Sequence, residues 1–145
     1  MRSLLQDPVA TPGAESGVDL RRRRTRRLSE TVLARAEHLD AEEASLIRAV
    51  YGQGLSVVEV ARLRGEPARA LRRRVRRIVA RLLTGRFAYV ARRRSSFTPT
   101  RRRVAEACVL RGMSLREASA SLGISFHCVR RHMEAVNALS EQEGA

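Results

Sequence analysis

Apolar residues recur every three or four positions along most of the chain, the spacing of helices that each bury one stripe. Leu28, Val32, Ala36 and Leu39 mark a first short helix. Two longer stretches follow, at roughly 41 to 52 and 99 to 111. Asp40 stands where an N-cap would accept a backbone N–H of the first, while Thr98 precedes a Pro99 suited to the opening helical position of the second. Gly54 and Gly112 then break the chain, and Ser56-x-x-Glu59 and Ser114-x-x-Glu117 each have the form of a capping box. The short helices so begun should stop near Gly65 and Gly123. A third helix follows in each case, with Ser125 as its cap in the second stretch and Pro67 at that position in the first.

These parallels form an internal repeat at an offset of 58 residues, the step from Gly54 to Gly112. Under it Ser56 and Glu59 meet Ser114 and Glu117, Gly65 meets Gly123, and Arg72-Arg73 meet Arg130-Arg131. The apolar register agrees, since Leu71, Val75 and Ile78 meet Val129, Met133 and Val136. The expected fold is therefore all-α, with two tandem three-helix units of helix-turn-helix form. Residues 1–27 are expected to form a flexible lead and basic arm, 28–84 the first unit, 85–97 a linker, and 98–140 the second unit. Phe87, Tyr89 and Val90 in the linker are expected to dock one unit on the other, with a base-stacking platform as the alternative.

Placed at about 100° per residue, the third helices separate into two faces. Phe126, Val129, Met133 and Val136 should be buried in the second unit, and His127, Arg130, Arg131 and Glu134 should face outward. In the first unit Leu71, Val75, Ile78 and Leu82 form the inner stripe, with Arg69, Arg72, Arg73 and Arg76 opposite. A single α-helix fits the major groove of duplex DNA, with its N-terminal side chains near base edges, so an exposed polar face on a capped third helix suits that ligand.

Composition points the same way. The 145 residues carry 29 basic side chains against 15 acidic ones, a formal charge of +14, and every basic residue is Arg. Each cation is thus a planar fork matched to phosphate or guanine. Hydrophobic residues make up 43% of the chain, enough for a core, while the 3% aromatic content argues against a β sandwich. The run Arg21 to Arg27 reads as a solvated arm or as a phosphate or minor-groove contact. Cys108 and Cys128 lack a CxxC partner, so neither zinc nor a disulfide framework is expected, and a reducing cytoplasm suits them. The N-terminus has no apolar signal region, and the longest stretch free of charge, 118–129, is too short for a membrane span.

The stretch Gly112-Met-Ser-Leu-Arg-Glu-Ala-Ser-Ala-Ser-Leu-Gly-Ile-Ser-Phe-His-Cys-Val-Arg-Arg-His132 resembles the helix-turn-helix of region four of bacterial sigma factors and of the related LuxR-type regulators. The resemblance covers 98–139 well and 40–82 less closely. It implies that the last helix enters the major groove of a promoter element or operator, with Ser125, His127, Arg130 and Arg131 as contact positions. Two features depart from the family. The first unit has Leu63-Arg-Gly-Glu-Pro67 in place of the Leu-Gly-Ile-Ser turn, and the chain lacks the aromatic-rich region with which a complete sigma factor captures melted strands. No receiver domain precedes the repeat, so phosphorylation-driven control is not expected.

No nucleophile, base and orienter assemble from three His, three Asp and the absence of a Gly-rich phosphate loop, so an enzyme is not expected, nor a cofactor or metal. The expected partner is double-stranded DNA, bound through Arg69, Arg72, Arg73 and Arg76 and through Ser125, His127, Arg130 and Arg131. The expected role is a cytoplasmic, nucleoid-associated transcriptional regulator with no membrane association. Two alternatives stand beside it: an adaptor that docks on RNA polymerase or a sigma factor, and a non-specific nucleoid or RNA binder. The residues name no operator, effector or oligomeric state.

Overall fold

The computed structural model describes residues 17–144; the first sixteen residues of the lead and basic arm expected over 1–27 lie outside them. Among the described residues the chain is all helical, without strands. The first helix, α1 (Gly17–Arg35), takes in the whole basic run, which is therefore helix and not the flexible arm expected up to residue 27. Arg is a good helix former and no Gly or Pro intervenes from 18 to 35, so the helix fixed by buried Val32 and Ala36 propagates backward through the arginines. Arg35 anchors its C-terminal end by donating to the Leu82 carbonyl at 2.6 Å.

Two segments then show the same succession of elements. Helix α2 (Ala41–Ile47) continues into a wide turn, Arg48–Gly52, closed by Gln53 N–H to the Arg48 carbonyl at 2.9 Å. Its counterpart α6 (Pro99–Ala105) continues through Glu106–Leu110, closed by Arg111 N–H to Glu106 at 3.0 Å. Helices α3 (Val57–Arg64) and α7 (Leu115–Leu122) both open on complete capping boxes, with Ser56 and Ser114 accepting from Glu59 and Glu117 N–H at 3.1 Å. Both end on a left-handed glycine: Gly65 at φ 66°, ψ 28° and Gly123 at φ 66°, ψ 33°. The turn of the first segment thus keeps its geometry without the Ile-Ser pair, because glycine alone supplies the left-handed step. The third helices are α4 (Ala68–Leu82) and α8 (Phe126–Gly144).

Asp40 caps α2 as expected, accepting from Glu43 N–H at 2.8 Å. Thr98 makes no such side-chain bond to α6. The Arg102 guanidinium holds the start of α6 instead, donating to the carbonyls of Arg94, Ser95 and Phe97 at 3.1–3.3 Å.

The expected linker is largely a helix, α5 (Gly85–Arg93), capped by Thr84. It packs along α8 and against the wide turn of α6, with Phe87 and Val90 fully buried. The Phe87 ring stands edge-on to His38 of the first segment, centroids 6.4 Å apart, so this residue docks the segments together. Tyr89 is buried against Phe97. Neither ring is open to a nucleotide base. One continuous apolar cluster results, running from Leu46, Ile47 and Ile78 through Phe87 to Val104 and Val129. Phe126, expected inside, is 43% exposed. It lies on the correct face of α8 but in its opening turn, where Ala68 of α4 is small enough to pack against the core.

Candidate nucleic-acid interface

Helix α4 holds seven arginines and no acid. Leu71, Val75, Ile78 and Leu82 are buried, as the periodicity predicts, and six of the seven arginines fall into two sets by their angle from that stripe, with Arg77 exposed outside both. Arg74 and Arg81 flank it and turn back onto α2. Arg74 pairs with Glu42 at 3.0 Å, and Arg81 pairs with Glu43. Burial raises the Glu43 carboxyl above its ordinary range, and the charge of Arg81 offsets this only in part. Arg69, Arg72, Arg73 and Arg76 are all exposed and together line one shallow depression. None of these four has a carboxylate partner among the described residues. Four guanidinium groups therefore share one face with no counter-charge from the described residues.

Helix α8 places its candidates differently. Cys128 N–H donates to Ser125 Oγ at 3.1 Å, so Ser125 caps the helix as expected and keeps its own O–H proton for a ligand. Ser125, His127 and Arg131 border a single depression at the start of α8. Arg130 does not join them. It pairs with Glu134 at 3.1 Å and borders a separate hollow with Met113, Ser114 and Asn137. The reason is local: Glu134 lies one turn on, where i,i+4 side chains meet, whereas α4 has Arg76 at that position.

Sequence reasoning missed Arg101, which comes from α6 to line the depression with Ser125, His127 and Arg131. The repeat carried a signal for it, since the 58-residue offset aligns Arg101 with Glu43 and the charge inverts. His132 is half-buried at the same place, and burial, followed by the charges of Arg101 and Arg131, lowers its pKa below the ordinary histidine value. Of the cysteines, Cys108 packs on the core and burial raises its thiol pKa, against the pull of Arg86. Cys128 lines the α8 depression.

Among the described residues, no group of three or more His, Cys, Asp or Glu side chains could hold a metal ion, and no helix is long and apolar enough to cross a membrane. No family model matches the chain, and no curated protein or solved structure is detectably similar to it.

Proposed function

We propose that the protein is a DNA-binding transcriptional regulator built from two helix-turn-helix units, with α4 and α8 as the helices that face the duplex. In this reading α2–α4 and α6–α8 are the units, and the left-handed Gly65 and Gly123 make the turns. The observation that carries it is the division of arginines on α4. Those beside the core are paired with α2, and those on the outer face have no carboxylate partner among the described residues. Such a face favours a polyanion and binds through phosphates. On α8, Ser125, His127 and Arg131 offer a smaller and less charged set near the helix start, the end that approaches base edges.

The test is a gel shift across a salt series together with selection of bound fragments from random duplex DNA. Arg72→Ala and Arg131→Ala are each expected to weaken binding and to flatten the dependence of log K on log salt by about one unit. Unchanged slopes reject these contacts, and recovery of random sequence only rejects the sequence-specific role. A polymerase or sigma-factor adaptor is the second reading, favoured by Leu63 of α3, an apolar side chain left 78% exposed. Capture of RNA polymerase that survives nuclease digestion would support it over the first.

A further inference from the structure

The depression at the start of α8 draws its cations from two helices, whereas its counterpart on α4 is lined by the arginines of that helix alone. Arg101 and Arg131 reach it from two helices, with His127 and His132 beside them and no carboxylate in its lining. Neither arginine has an ion pair or hydrogen bond among the described residues, and the Nε of Arg101 is buried without a partner. A buried donor in that condition costs free energy until something accepts from it. In the first segment the residue aligned with Arg101 is Glu43, whose carboxylate meets the outer nitrogen of the Arg81 guanidinium, although the Arg81 Nε is likewise buried without a partner. No carboxylate among the described residues plays that part for Arg101 and Arg131. The free O–H of Ser125 adds a neutral donor at the rim, and the N-terminus of the 19-residue α8 favours negative charge at the same end.

We propose that this depression seats a phosphate group, that of the bound duplex backbone, held between Arg101 of α6 and Arg131 of α8. The assignment rests on the DNA-binding reading and extends it, because α6 then fixes the register of α8 on the duplex instead of only supporting it. Two guanidinium groups from different helices grip a phosphate from two directions, and the charge-assisted bonds formed are stronger than neutral ones. The chemistry is equally that of a free phosphate ion, and the experiment separates the two sources.

His132 is the reporter. In the full-length protein, the imidazole is titrated by NMR with and without inorganic phosphate, for the natural sequence, Arg101→Gln and Arg131→Gln. Duplex affinity is then measured across a salt series for all three. Phosphate is expected to raise the His132 midpoint in the natural sequence and to leave it in place in either variant. Each variant is expected to lower the salt slope by about one unit. A phosphate-dependent shift with unchanged slopes overturns the duplex assignment in favour of a free anion. No shift and unchanged slopes overturn the site itself. Should the natural sequence bind no duplex, the DNA reading fails and the backbone assignment with it, while the His132 shift still decides whether an anion is held. Arg131→Gln is an exposed substitution and keeps the test open if Arg101→Gln does not fold, and Arg101→Lys is expected to restore part of the slope.

Discussion

The two third helices share a register and a scaffold yet differ in charge. Helix α4 puts four arginines without a carboxylate partner among the described residues on its outer face, whereas α8 has Arg131 and His127 there, and its Arg130 is occupied by Glu134. The inner flanks differ in the opposite sense: Glu42 and Glu43 neutralise Arg74 and Arg81 in the first segment, and the second leaves Arg101 without a partner. On the proposed DNA-binding reading, one backbone plan would offer two ways of meeting a polyanion. A broad cationic face holds any phosphate run, and a narrow set of mixed donors makes fewer and more directional contacts.

The comparison can be tested by removing what distinguishes the first segment. Substituting Gln at Arg69, Arg72, Arg73 and Arg76 together is expected to cut the salt slope by about 3.6 units, at about 0.9 per phosphate contact, and to leave any sequence preference in place. Competition binding at several salt concentrations checks both parts. Equal loss of preference and slope would mean that α4 also reads bases. Glu43→Gln removes the internal counter-ion of Arg81 and is expected to cost about 1.5–3 kcal/mol in urea unfolding, the scale of a hydrogen bond to a charged group. The smallest effect is expected from Glu134→Arg, which gives α8 the residue aligned with it in α4. It releases Arg130 and adds a cation, so the slope should steepen by one to two units, about 0.9 per added contact.

Much of the scaffold was legible because its signals are local. Ser56 and Glu59 close a capping box with each other, and the glycine at position 65 or 123 is the residue that takes a left-handed turn without cost, so both segments could be placed from short patterns. Burial of Val75 and Met133 followed from period alone. What escaped depended on partners distant in sequence. Nothing near Arg101 says that it will share a depression with Arg131, and although Phe87 was expected to dock the units, nothing in 85–97 names His38 as its partner or marks the segment as a core helix. Phe126 was misplaced because a helical wheel has no ends and assigns the first turn the same neighbours as the middle. Arg130 was grouped with Arg131 because adjacency in sequence hid the competing pull of Glu134.

Arg81 closes the first segment and at the same time lies against Gly112, where a Cβ would collide with its guanidinium. Together with α5, whose buried face belongs to a cluster continuous through both segments, this contact leaves no seam along which the halves could melt separately. Heating should therefore produce one endotherm whose calorimetric and van't Hoff enthalpies agree, and excising either half would strip apolar surface from the other. Two segments of similar form would thus melt as one thermodynamic unit.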